Sequence, residues 1–519
     1  MYGIRCSLPA GARILSVRGA CRFHAARILR LGGSSRADAV ASRRRSTRSP
    51  QPARQSHGLI EGHLARCRGG CMEPTRALAE FIVATDQLPS WVWDEAKRTL
   101  VNLLAISVSA SIHPSSRALT EWVRAEGATP RATVIGGRLQ TSPARAAHAN
   151  GFLAHLQDYD DTHFPTILHP SAPVWPAVLA VAEDTGASGR DALLAFAVGA
   201  EAACRVAMSV HPWHYDDGWH ITGTVGVIGA TAGAGRILRL DPDRMSHALG
   251  FAGTQSAGLR EVFGTDGKPM HAAFAARGGV EAASFAQADL TASTDILGGR
   301  RGFWAVLSPR GHSEAVLLHE RGEEWELRRN GLKPYANGVV SHPIQDAVIA
   351  LRTEHRLTPE QVTAIELRVC PLVVELMNRS EPRTGLEGKF SFQHCAAAAL
   401  VDGAGHDAQF TDAKVADPAI AAVRRRVSAV VDQAIPEHEA FVTIRLTDGR
   451  SVSAHIEHAS GSPENPLSDA TLDAKFRALV EPVLGGPRTE ELLHLARHLE
   501  DAPDVRGLFA LVAAPGSGA

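Results

Sequence analysis

From residue 72 to about 328, apolar positions recur at three- and four-residue intervals, the period of a helix with one buried face. "MEPTRALAEFIVA" (72–84) opens this region like a helix, with an acid early and apolar residues at helical spacing. Ser142-Pro143 supplies a capping hydroxyl and a proline at the first helical position, so a helix is predicted from there to about Gln157. In "TGTVGVIGATAGAGRILRL" the small residues Gly226, Gly229, Ala230 and Gly233 fall at helical spacing, which predicts a buried helix packed close to its neighbours. A nucleotide loop fits less well, because no strand precedes it and no acid follows at the right distance.

From about 329 to 458 the period changes to two. Ile365, Leu367 and Val369 alternate with polar residues, as in a half-buried strand. Val442, Ile444 and Leu446 alternate likewise, Asp448-Gly449 turns, and Val452, Ala454 and Ile456 return, which reads as a hairpin. Helical spacing resumes at "NPLSDATLDAKFRALVEPVL", with Ser468 as its N-cap. The predicted fold is therefore mostly α with an inserted α+β domain. A large helical domain is built from both ends of the body (72–328 and 459–519), and a smaller α+β lid domain occupies 329–458. The cleft between them is the expected ligand site.

Charge separates the first 71 residues from the rest. They hold fourteen Arg, no Lys and two acids (Asp38, Glu61), a net +12, which leaves −13 on the remaining 448 residues of a chain with net charge −1. The acidic body argues against nucleic acid as a partner. "SSRADAVASRRRSTRSPQPARQSHG" has too little apolar content to fold, so 1–71 is expected to be a disordered Arg-rich extension. Two readings of it stand: a leader upstream of a start at Met72, or a transit-like peptide in which "GARILSVRGACRFHAARILRL" forms a basic amphipathic helix. The body keeps three widely spaced Cys (204, 370, 395), which argues against disulfides and structural zinc. With no segment expected to reach membrane-span length, a cytoplasmic protein without a membrane partner is expected.

Against this apolar background the stretch "HLQDYDDTHFPTILHPSA" (155–172) is dense in acids, imidazoles and hydroxyls. Asp158, Asp160 and Thr162 fit the D-x-D-x-T nucleophile loop of haloacid-dehalogenase phosphatases, but a helix rather than a buried strand precedes them. A metal reading would use His155, His163, His169 and the aspartates, though no metal-ligand helical spacing is present. A metal-free acid–base site is the third reading. Other islands share the character: His220 ahead of the glycine-rich helix, Lys268 and His271 in "GTDGKPMH", Lys333 and His342 in "GLKPYANGVVSHP", and Lys389 and His394 in "GLEGKFSFQH". The body holds only six Lys against thirty-four Arg, yet three of the six stand in these islands, which points to a compact point charge wanted there. Lys389 alone is equally read as a surface residue.

Taken together, "NGFLAHLQDYDDTH…LHPSAPVWPAVLA", "GWHITGTVGVIGATAGAGRILRLD", "TDGKPMHAAFAARGGVEAA", "LKPYANGVVSHPIQDA", "EPRTGLEGKFSFQHCAAAAL" and "NPLSDATLDAKF" resemble the MmgE/PrpD family over about 72–500. The resemblance implies a homodimer and cofactor-free, metal-free lyase chemistry on a small polycarboxylate. By motif, Asp158 and Thr162 match the D-[FY]-D-D-T acid and threonine, and His169 the histidine of H-P-S. His220 matches the histidine before the glycine-rich helix, Lys268 the lysine of K-P-[LM]-H, Lys333 the lysine opening the lid, and His342 a histidine further on. In the decarboxylase branch a histidine is expected where Gly338 stands, and a tyrosine near "LVVELMN"; this chain has neither.

The chemistry asks for such groups. A base removes a proton α to a carboxylate, a cation holds that carboxylate as charge develops, and an acid protonates the leaving group. The expected assignment makes Asp158, His169 and His220 catalytic, with Thr162, Lys268, Lys333 and His342 binding substrate. The first-ranked activity is dehydration of a 2-methylcitrate-like β-hydroxy acid. Decarboxylation, isomerisation or epimerisation of a related acid, and non-catalytic binding of an organic acid, are the alternatives.

Overall fold

Helix–helix contacts made through small residues dominate the first half of the structure, a computed structural model that describes residues 73–513. The expectations for 1–71, and for a start at Met72, lie outside them. The glycine-rich segment is helical in two pieces, Ile221–Thr224 and Gly226–Ile237, and packs against the helices Ser171–Thr185, Gly189–Val210 and Gly267–Gln287. The approach is close enough that side chains larger than Gly do not fit. A Cβ on Gly229 would lie 2.7 Å from the Gly199 carbonyl oxygen, and one on Gly279 would lie 2.4 Å from Ala230 Cβ. The small-residue spacing therefore sets the interhelical distance.

The C-terminal return joins the same core. Leu472, Phe476, Val480 and Leu484, spaced every four residues on Asp469–Leu484, are buried on the side that meets the helix Ser90–Ala110. Burial of each such side chain contributes about 1.5–3 kcal/mol. Ser468 caps this helix as expected, accepting from the Thr471 amide. Ser142 does not: its helix, Pro143–Leu156, starts at the predicted place but with no side-chain cap, so Pro143 sets the start.

A second hydrophobic core gathers residues from Ala336 to Leu446. Its sheet runs in the order 427–431, 362–369, 440–446, 451–456. The strand Val362–Val369 is parallel to Val427–Val431 and antiparallel to Ala440–Leu446. The predicted hairpin pairs Val442 with Ala454 and Ile444 with Val452. The helices His342–His355 and Phe392–Asp402 cover this sheet. The architecture is mostly α with an inserted α+β lobe, and the described residues lie in one compact unit.

One expectation is corrected. Among the described residues the helix Gly189–Val210 is long and apolar enough, by length and composition, to cross a membrane. It is instead a core helix, nearly all buried, and carries the buried Arg205–Glu201 ion pair on consecutive turns.

A short two-stranded ladder connects the two textures. Asp161–His163 pairs antiparallel with Asn330–Leu332, matching Thr162 to Gly331. This brings the acidic loop beside the segment that carries Lys333.

Candidate active site

The helix Pro143–Leu156 ends at Gln157, and the next residue, Asp158, turns the chain with φ +51°. That left-handed conformation is uncommon for a side-chain-bearing residue and best tolerated by Asp and Asn. It sends the Asp158 carboxylate inward. Lys268, on the first turn of Gly267–Gln287, donates to Asp158 Oδ1 at 2.8 Å, and Lys333 donates to the same oxygen at 2.5 Å. All three side chains are almost wholly buried. Burial works to raise the Asp158 carboxyl, but the Lys268 and Lys333 ammoniums overturn it and hold the group well below the usual carboxylate range. Burial lowers the Lys268 ammonium, while Asp158 opposes that shift.

His169 precedes the helix Ser171–Thr185. Its Nδ1 lies 2.7 Å from the Asp161 carbonyl oxygen, which can only accept. Nδ1 therefore carries the proton, and Nε2 of the neutral ring presents a lone pair. Burial depresses this imidazole well below the ordinary histidine value, so the neutral form persists at neutral pH. His155 is set by the same logic, with Nδ1 donating to Asp160 Oδ2 at 2.7 Å. His220 Nδ1 is 2.9 Å from His271 Nδ1, so the two rings share one proton between those atoms. Burial, then the neighbouring His155 and His271, keeps His220 well below its usual value. His155 and His220 stack at 5.6 Å, and His155 lies 4.8 Å from His169.

Asp158, His169, His220, Lys268 and Lys333 all line one small cavity of about 30 Å³, with Phe263, Met377 and Phe390 also in its wall. That volume accepts one or two waters, not a polycarboxylate. Four buried polar atoms cluster here without a hydrogen-bond partner: Asp158 Oδ2, Asp160 Oδ1, His155 Nε2 and His220 Nε2. Buried polar groups are normally satisfied, so such a cluster marks a place for a ligand.

The seven expected site residues thus divide. Five converge on the cavity. Thr162 is buried behind it, its Oγ1 3.3 Å from His169 Nδ1, where it can orient the imidazole but does not line the wall. His342 does not line the cavity either. Its Nε2 approaches the Asn337 carbonyl at 3.4 Å, and burial, then the Lys333 charge, pushes it down to about 3. Lys389 is not a surface residue; it is buried and clamps the Gln157 and Ala336 carbonyls and Asp407.

Besides His155, other participants were absent from the expected set. Asp160 sits 3.7 Å from both Lys333 and His169 in addition to its bond to His155. His271 partners His220. Lys475, from the C-terminal return, is buried and donates to Asn102 Oδ1 and to the Tyr159 and Lys333 carbonyls, holding both sides of the site. The scarcity of lysine in the body was a signal for Lys475 as much as for Lys268; its place in a regular amphipathic helix hid it. Asp161, pushed up to about 7 by burial and by the Asp160 charge, accepts from Ser171 and Asn330 and ties the loop to both neighbours.

A metal ion could in principle use ring nitrogens of His155, His169 and His220, or Asp158, Asp160 and His169, whose ligand atoms lie within 4.8 Å of one another. Lys268 and Lys333 stand in the same place as built-in cations. Like-charge repulsion makes an anion the better guest.

The profile of the MmgE/PrpD N-terminal domain matches residues 76–315, and that of the C-terminal domain matches 335–501. The cis-aconitate decarboxylase of Homo sapiens is 29% identical over 396 residues, covering 73% of this chain and 81% of that protein. That of Mus musculus is 28% identical over 441 residues, covering 81% and 89%. That of Aspergillus terreus (strain NIH 2624 / FGSC A1156) is 26% identical over 472 residues, covering 83% and 94%. With both halves of the body matched in order, the chain belongs to the MmgE/PrpD family.

Proposed function

We propose that this chain is a lyase that cleaves a small carboxylic acid by acid–base catalysis, and that the bond broken first in rank is carbon–carbon, with release of CO₂. The observation that carries the reading is the seat of Asp158. A carboxylate already bridges two buried ammoniums beside a neutral imidazole, and a substrate carboxylate can take the same seat. Lys268 and Lys333 then hold charge that develops next to that carboxylate. Decarboxylation needs a proton added to the substrate carbon: His169 Nε2, unprotonated in the free site, takes it up from solvent and delivers it there, and His220, coupled to His271, supplies the second proton-handling group.

The closed cavity implies that Asp158 yields its lysines and the lobes part when substrate enters. An ion pair between Arg260 and Glu375, together with the Arg379 bond to the Phe263 carbonyl, joins the two lobes next to the wall residues Phe263 and Leu376. The names of the relatives favour decarboxylation over the dehydration ranked first from sequence. Dehydration stays as the second reading because Gly338 and the Met377 region lack the histidine and tyrosine of the decarboxylase pattern.

The test is incubation of purified protein with a panel of unsaturated and β-hydroxy di- and tricarboxylates in D₂O, followed by NMR and CO₂ measurement. CO₂ with a deuterated product supports decarboxylation. A new alkene without CO₂ supports dehydration, and deuterium exchange without net product an isomerase. No turnover and no exchange across the panel refutes the lyase reading.

A further inference from the structure

The charged part of the cavity wall comes from the helical lobe and from Lys333 at the junction. Beyond Lys333, the inserted lobe lines the cavity with Gly338, Val339, Val340, Leu376, Met377 and Phe390. None of these side chains donates a strong hydrogen bond or carries charge. At Gly338 the backbone is occupied as well: its amide donates to the Lys389 carbonyl, and its carbonyl accepts from the Ser341 amide and hydroxyl.

Gly338 and Met377 complete this apolar wall as a pair. A Cβ added to Gly338 would lie 2.5 Å from Met377 Sδ, so the thioether fills the space a larger residue at 338 would need. Phe390 and Phe263 continue the wall, ring centroids 5.5 Å apart, and both rings flank the Lys268 ammonium at 5.4 and 5.6 Å.

Of the groups lining the cavity, Lys268 and Lys333 are the cations, Asp158 is the carboxylate, and the imidazoles are neutral. One entering carboxylate can replace Asp158 on the lysines. A further carboxylate directed at the inserted lobe would be buried against side chains that offer it neither charge nor a hydrogen bond, which is heavily disfavoured.

We infer that the substrate joins one lysine-held carboxylate to an uncharged apolar arm lying against Gly338, Met377 and Phe390, so that the site prefers alkyl-bearing dicarboxylates to tricarboxylates. This rests on the lyase reading for its chemistry. A fitting class is the alkylidenesuccinates, R–CH=C(COO⁻)–CH₂–COO⁻. An acid adds a proton at the carbon bearing R, and the electron pair of the breaking C–COO⁻ bond becomes the new CH₂=C bond. CO₂ leaves, so substrate plus one proton becomes R–CH₂–C(COO⁻)=CH₂ plus CO₂. The carboxylate retained is the one on the lysines, and R rests on the apolar wall.

Binding tests this independently of turnover. Calorimetry of the full chain would compare butylsuccinate with propane-1,2,3-tricarboxylate, two saturated acids of similar size. The expected result is at least about tenfold tighter binding of butylsuccinate, which is a difference near 1.4 kcal/mol. Met377→Ala should shift the preference to a longer arm, and Met377→Leu should restore the original order. Equal affinities, tighter tricarboxylate binding, or no binding of either acid would overturn the inference. The expected preference together with no turnover of any alkylidenesuccinate would leave the substrate class standing and sink the lyase reading instead.

Discussion

Lys333 donates to Asp158 Oδ1 at 2.5 Å, although the two residues are 175 positions apart in the chain. The pairing of Asp161–His163 with Asn330–Leu332 places them together, and Lys268 closes the arrangement from a third element. The result is a carboxylate held by two buried cations, the same arrangement a bound organic acid would need.

Removing that internal carboxylate should therefore expose what the lysines are for. Asp158→Asn leaves two buried ammoniums facing each other and should cost about 3–5 kcal/mol of stability. Added succinate should recover part of the loss by taking the vacated seat. Denaturant titration with and without succinate checks this. A variant that is equally destabilised with and without the acid would contradict the exchange of carboxylates.

The histidine states set the pH dependence. His169 and His220 lie well below their unfolded value of 6.5, so the free site keeps neutral imidazoles as pH falls through that value. The acid limb of kcat/KM should lie below pH 6.5, not at it. The stability sign follows: a histidine depressed in the folded state favours unfolding when protonated, so its stabilising share is present above 6.5 and is lost progressively as pH falls toward the folded value. A kcat/KM profile with its acid limb at an ordinary histidine value would contradict the assignment of His169 as a buried neutral base.

Lys475 is a positioning residue in this account. Lys475→Met removes bonds to three oxygens and leaves the Tyr159 and Lys333 carbonyls underserved, at a cost of about 2–4 kcal/mol. Because its bonds go to carbonyl and amide oxygens and not to the imidazoles, the pH at which kcat/KM turns over should be unchanged while kcat falls. A shifted acid limb would show instead that Lys475 acts on the imidazoles directly.

Much of this was legible along the chain, for a physical reason. Regular burial leaves a period, so the Gly226–Ile237 helix, the 440–456 hairpin and the return at Ser468 could be read from spacing. Asp158, His169, His220, Lys268 and Lys333 stood out because charged and imidazole groups in Gly- and Pro-flanked islands are costly to bury without purpose. Contacts between distant segments leave no such trace. Thr162 and His342 share the motifs but sit behind the wall, since motif membership does not say which way a side chain faces. The apolar wall of Gly338, Met377 and Phe390 is assembled from three separate segments, and only the fold brings them together.

The most direct test of the central claim is the kcat/KM of Lys268→Ala on whichever acid the intact protein turns over best. Loss of one buried cation at the developing charge should reduce it by on the order of 10²–10³, equivalent to about 2.7–4 kcal/mol of transition-state stabilisation, with the fold retained. A folded variant with turnover near that of the unaltered protein would contradict the assignment of Lys268 and the site built around it.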